Sequence, residues 1–306
     1  MTELAWVALR AASLVLLFQA AGAALFSAAF GQRLAHSAPA IRRTGVRAAA
    51  GALAALGAQY LLEPVHLAGE WAGIADASLH RLVLSSSTGA ALAMRAAGVA
   101  AVALGLRHAG LAARSAGVAG SLAALSSFAL TGHTAVDPHR LLLAPLLLVH
   151  LILAAFWFGS LWPLRQLCVL EPRAQAARVI EAFSSGALWL VPLIPLAGAG
   201  IAAVLLPDFA ALLAPYGLLL GAKLLLFAAL MGLAALNRLR LTPALARGEP
   251  GALPRLRRSV AAEYVLICAV LAVTAVLTGF FSPAQAERDA TAGRPDTAHP
   301  LARAHA

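Results

Sequence analysis

The sequence predicts an all-α polytopic membrane protein of eight transmembrane helices, and three observations carry that prediction. Residues of the AVILMFWYC set make up 61% of the 306 positions. With glycine counted and tyrosine left out the share is about 68%, against roughly 45–50% for soluble domains. Only 12% of residues are charged, half the usual share, and mean hydropathy is +0.83. The charges cluster between apolar runs of the length a bilayer requires. A soluble enzyme, a disordered chain and a disulfide scaffold are excluded.

The charge-poor runs predict helices at 4–31, 46–65, 82–106, 115–134, 140–164, 180–206, 214–237 and 259–281. The first is too long for a cleaved leader and reads as a retained helix. The second has a short charge-free core at 48–62, rich in Ala and Gly. The sixth contains Val191-Pro192-Leu193-Ile194-Pro195-Leu196-Ala197-Gly198-Ala199-Gly200, which predicts a kinked or broken helix whose freed carbonyls need partners or line a cavity. The chain divides into N-terminal membrane helices 1–3 (1–114), membrane helices 4–8 (115–283) and a flexible periplasmic tail (284–306).

Orientation follows from the arginines. Connections after helices 1, 3, 5 and 7 hold 15 of the 23 basic residues, and the opposite side holds 5. Arg10, Arg95 and Lys223 fall inside helices. The positive-inside rule then puts both termini outside, in the periplasm of a Gram-negative cell. The net charge of +10 is spread over loops rather than one face, so nucleic acid is not a partner. The bilayer is the partner the composition names. Short matches (Thr88-Gly89 before Arg95 and Tyr216-Gly217 before Lys223; Leu130-Thr131-Gly132 and Leu277-Thr278-Gly279) suggest a possible 4+4 parallel repeat.

His150 stands out as an ionisable residue ten positions into helix 5, about 15 Å deep. Trp157 lies two turns further down the same face, before Gly159. His133, expected to close helix 4, and His139, at the start of helix 5, extend a path to the surface. Imidazole suits copper, although each histidine also fits an interfacial or hydrogen-bonded structural role. His66 with Glu70 and Asp76 with His80 are spaced i, i+4 and would share a face if helical, either as a cation entry site or as ordinary polar loop residues. Arg95 and Lys223 are costly within apolar spans unless paired or facing water. Glu181 and Glu263 are acidic residues nearer the inner side. Cys168 and Cys268 form no CxxC and read as free thiols. With no nucleotide loop, aspartyl-phosphate motif, HExxH or Ser–His–Asp set, no enzyme is expected.

Leu130-Thr131-Gly132-His133-Thr134-Ala135, His150 through Trp157-Phe158-Gly159 and Phe183-Ser184 form an ordered set. It continues with Tyr216-Gly217 through Lys223, Asn237-Arg238 and Arg258-Ser259-Val260-Ala261-Ala262-Glu263. The chain resembles, over about 120–283, the copper resistance protein D (CopD) family of inner-membrane proteins. The resemblance implies copper-ion transport for uptake or resistance, often beside a periplasmic CopC-like copper-binding protein. It makes His133 and His150 metal candidates, and Trp157, Lys223, Asn237 and Glu263 structural or gating residues. Gln19 stands where the repeat would put a partner for His150. Two alternatives remain open: a b-type haem held by His150 with His133 or His80, and a non-transporting membrane subunit that docks a periplasmic copper carrier.

Overall fold

The computed structural model describes residues 2–205 and 215–280, with the side chains of 2–5, 133–134, 215–216 and 279–280 left out. No strand occurs among the described residues. Among the described residues six stretches are long and apolar enough to cross a membrane: Trp6–Arg33, Ser87–Arg107, Arg140–Leu170, Arg173–Leu205, Gly217–Ala246 and Ala252–Thr278.

The other two expected spans are helical but fall short of that standard. Helix α2 (Ala38–Ala68) follows α1 (Thr2–Phe30) and is continuous. Its apolar run between Arg47 and Glu63 is 15 residues, below the roughly 20 a bilayer needs. After α3 (Ala77–Ser85) and α4 (Ser87–Arg107), helix α5 (Leu111–Ser126) has 16 residues, about 24 Å of rise. It continues only as a 3-10 turn over Ser127–Leu130. Both pack closely on α1 and α4, so they complete the bundle whatever their depth in lipid.

The remaining elements are α6 (His133–Val136), α7 (Arg140–Leu170), α8 (Arg173–Leu190), α9 (Leu193–Leu205), α10 (Pro215–Leu236), α11 (Thr242–Ala246) and α12 (Ala252–Phe280). The sixth expected helix is broken, as its prolines predict. Pro195 has no N–H for the Val191 carbonyl, which accepts instead from Ile194 N–H at 3.1 Å, and α9 restarts there.

Helix α1 is the hub, packing on α2, α5, α7 and α12. Lipid gives helices no hydrophobic reason to associate, so close backbone approach and interhelical hydrogen bonds matter more. Gly22 of α1 meets Gly159 of α7, and Gly98 of α4 meets Gly120 of α5. Gln19 Nε2 donates to the Gly159 carbonyl at 3.2 Å. Ser121 Oγ contacts the Ala21 carbonyl at 3.3 Å. At one end of the bundle, arginine-rich connections meet. Gln175 Nε2 donates to the Arg33 carbonyl, and Arg173 Nη2 to the Glu249 carbonyl at 2.8 Å.

Candidate functional site

His150 lies ten residues into α7, facing the break between α8 and α9. Its Nδ1 is 2.8 Å from the Ile194 carbonyl oxygen. A carbonyl only accepts, so Nδ1 carries the hydrogen. In the neutral ring Nε2 is then the nitrogen with a lone pair. Nε2 has no hydrogen-bond partner among the described residues. The Ile194 bond is what a buried structural histidine makes. It is also the contact that fixes ring and tautomer in histidines that ligate metals. The ring fits because residue 198 is glycine: a Cβ there would stand 3.3 Å from Cε1 and 3.4 Å from Nδ1.

Further along α7 the bundle closes. A small apolar cavity of about 10 Å³ is lined by Leu153, Phe156, Trp157, Phe183, Val191 and Ile194 among others. Trp157 is 5% exposed and meets Phe227 of α10 edge-on at 6.4 Å. Trp157 is thus an aromatic block below His150, tied to α10. Lys223, also on α10, lies within electrostatic reach of His150 and has no ion-pair partner among the described residues.

Among the described side chains, no other histidine joins His150. His133 does not close α5. Gly132, at φ 78°, ends the preceding turn and His133 starts the separate turn α6; its side chain lies outside the described residues. His139 precedes α7 and sits beside Asp137, Nδ1 to Oδ1 3.2 Å, largely exposed. His66 stacks on Trp6, ring centroids 5.4 Å apart, with the Arg10 guanidinium also over Trp6 at 4.5 Å.

His80 has both nitrogens engaged, Nε2 with the Ile74 carbonyl at 2.9 Å and Nδ1 with the Tyr60 hydroxyl at 3.1 Å. Nε2 must donate, so Nδ1 accepts from Tyr60, and neither lone pair nor ring edge is left for copper or haem. Of the two expected i, i+4 spacings only the second is helical, His80 N–H donating to the Asp76 carbonyl at 3.1 Å. Gly69, at φ 74°, ends α2 between His66 and Glu70. Asp76 spends its carboxylate capping α3, accepting from Ser78 and Leu79 N–H. Its capping bonds, led by the Ser78 hydroxyl, hold the Asp76 carboxyl below the usual range. Among the described residues no three His, Cys, Asp or Glu side chains gather as a metal cluster.

Arg95 is accounted for structurally. Its Nε donates to Ser127 Oγ at 2.9 Å and its guanidinium lies 3.9 Å from the Phe128 ring centre. Asn237 and Glu263 pair directly, Nδ2 to Oε1 2.7 Å, both buried. Glu181 is exposed. Both cysteines are free thiols.

One buried acid escaped the sequence reading. Glu171, in the two-residue gap between α7 and α8, accepts from Ser37 Oγ (2.7 Å), Ser37 N–H (2.8 Å) and His36 N–H (2.9 Å). Burial pushes the Glu171 carboxyl up, but these bonds outweigh it and hold it at about 2. A Ser37 ahead of Pro39 signals a helix start, but its partner lies 134 residues away.

Residues 177–277 match the family model described as copper resistance protein D. No curated protein and no solved structure matches the chain. The matched stretch holds Ile194, Gly198, Lys223, Asn237, Ser259 and Glu263, and His150 reaches into it from α7.

Proposed function

We propose that this chain, with its copper resistance protein D segment at 177–277, serves copper resistance by passing copper ions across the membrane, with His150 as the mid-membrane ligand. The observation that carries the reading is His150 itself: Nδ1 is committed to Ile194 and Nε2 is left uncommitted, beside the family-matched helix α9. A neutral imidazole is a good ligand for copper. A site with few protein ligands suits transit better than storage, because conduction requires an ion to leave as readily as it enters. Copper is cargo here, not a resident cofactor.

His139 lies at the arginine-poor mouth of the same helix, followed by His150, then the block of Phe156, Trp157 and Phe183. The arginine bias supports a bacterial inner membrane with both termini periplasmic, and a periplasmic CopC-like protein as donor or acceptor. The helix pairing supports two four-helix halves: α1 pairs with α2 and α5 as α7 pairs with α9 and α12, and α1 meets α7 between them.

The test is copper flux in vesicles holding the full chain. We expect His150→Ala to abolish flux while the protein still inserts. A purely structural histidine would instead cost roughly 1–3 kcal/mol of stability with copper binding intact, and that result would overturn the ligand role. Copper binding without flux in the wild type would favour the docking-subunit reading.

A further inference from the structure

A second buried polar group lies nearer the arginine-rich end, away from His150. Asn237 opens the π turn Asn237–Leu241, in which Thr242 N–H donates to the Asn237 carbonyl five residues back. Pro243 has no N–H to offer an α-helical partner, and the wider register results. The turn presents Asn237 to α12. There Nδ2 donates to Glu263 Oε1 at 2.7 Å. Glu263 is 4% exposed, and Asn237 and Ser259 are each 9% exposed. Asn237 Oδ1 and Ser259 Oγ are both buried with no hydrogen-bond partner among the described residues. Ser259 stands one helical turn from Glu263, toward the arginine-rich loop.

Among the described residues no cation faces the carboxyl group, and Lys223, the charged residue of α10, stands 14 residues before Asn237. On α7, the Arg165 guanidinium lies over Trp162 at 5.0 Å, and Cys168 is a buried thiol. On the π turn, Arg238 reaches Ser185 Oγ at 3.4 Å and Arg240 is exposed. On α12, Arg257 and Arg258 are exposed, Tyr264 stacks on Phe158 at 4.8 Å, and Cys268 lies one turn further on. Beyond α11, Arg247 pairs with Glu249. Between Arg10 and Arg33, α1 offers no titratable group. An ionised carboxylate buried alone is expensive, and such a group takes up a proton instead. A carboxylic acid also supplies the donor that Asn237 Oδ1 lacks.

We propose that Glu263 is a proton-binding site. Its neutral acid pairs head to tail with the Asn237 amide, and it loads and unloads toward the arginine-rich face. Unloading breaks the Glu263 O–H bond. The proton passes to water on the arginine-rich side, and the carboxylate remains; no electron moves. That this proton is the one exchanged against copper rests on the transport reading above.

Infrared spectroscopy of the full chain in vesicles, without copper and at neutral pH, tests the site. A protonated-carboxyl C=O band should be present in the wild type and absent in Glu263→Gln, which keeps an amide pair with Asn237. A spectrum in which that substitution removes only carboxylate bands overturns the proposal. Asn237→Ala, which removes both partners, should move the band to higher frequency, and an unmoved band counts equally against it. In vesicles that carry copper, Glu263→Gln should abolish the accompanying pH change, and a full pH change in that variant overturns the coupling. Where wild-type vesicles carry no copper, the transport reading fails and the infrared bands alone decide the proton site.

Discussion

Gly22 and Gly159 cross in direct backbone contact: a methyl group placed on either would stand 2.5 Å from the Cα of the other. The Gln19 side chain locks the same crossing by donating to the Gly159 carbonyl. Helices α1 and α7 therefore meet with nothing between them. Gly159→Ala should force the helices apart and destabilise the protein by about 1–3 kcal/mol. Gly57→Ala, where a Cβ meets nothing within 4 Å, is the control. Thermal unfolding in detergent reads the difference, and equal midpoints for the two variants would refute the tight crossing.

Glu171 makes an acid-sensitive clamp between the α1–α2 connection and the end of α7. Its carboxyl is held at about 2 from an ordinary value of 4.5. A depressed folded value means the stabilisation is complete above about 4.5 and is lost as pH falls toward 2. Glu171→Gln removes the charge and turns one acceptor into a donor facing donors. We expect it to cost about 1–3 kcal/mol at neutral pH, with variant and wild type converging in strong acid. Stability curves that stay parallel across that window would exclude the clamp.

The parts of this fold that were legible in the sequence are those the bilayer dictates. Charge-poor runs marked α1, α4, α7, α10 and α12, and prolines at 192 and 195 marked the break between α8 and α9. His150 was legible because a histidine ten residues into an apolar helix is out of place. Boundaries set by one backbone angle were not legible. Gly69 ends α2 at positive φ, which separates His66 from Glu70; Gly132, also at positive φ, follows the 3-10 turn after α5 and sets His133 apart. Asp76 carried the residue type of a ligand, but its local geometry is that of a helix cap. Glu171 was invisible because its partners, Ser37 and His36, are remote in sequence. Helices α2 and α5 were legible as helices. Their role in the membrane was not, since Ala- and Gly-rich helices are held by close packing rather than by hydropathy.

His80 is committed to structural bonds through both ring nitrogens. Its two nitrogens join the Ile74 carbonyl to Tyr60, which staples the turn Trp71–Ala75 onto α2. Each neutral bond contributes about 0.5–1.5 kcal/mol. His80→Ala should therefore lower stability by about 1–3 kcal/mol for the two bonds together and leave copper binding unchanged. Tyr60→Phe should reproduce about half of the loss. A drop in copper affinity in His80→Ala without a matching drop in Tyr60→Phe would make His80 a ligand after all.

Gly198 offers a way to test His150 without touching it. The imidazole lies against the bare backbone of α9, with Cε1 and Nδ1 only 3.3 and 3.4 Å from where a Cβ would be. Alanine requires a shift of a few tenths of an ångström, which the ring can make while keeping its bond to Ile194. Valine adds two branches at that Cβ and drives the ring off the carbonyl, so the tautomer and the aim of Nε2 are no longer fixed. A ligand freed to rotate loses much of its advantage; losing such an orienting contact typically costs 10–100-fold in metal affinity. We therefore expect Gly198→Ala to retain copper binding and Gly198→Val to weaken it by about that factor, with His150 still present. Gly186→Val, on α8 where a Cβ meets nothing within 4 Å, controls for valine in a membrane helix. Wild-type copper affinity in Gly198→Val would show that the His150–Ile194 bond holds the bundle together and does not aim a ligand.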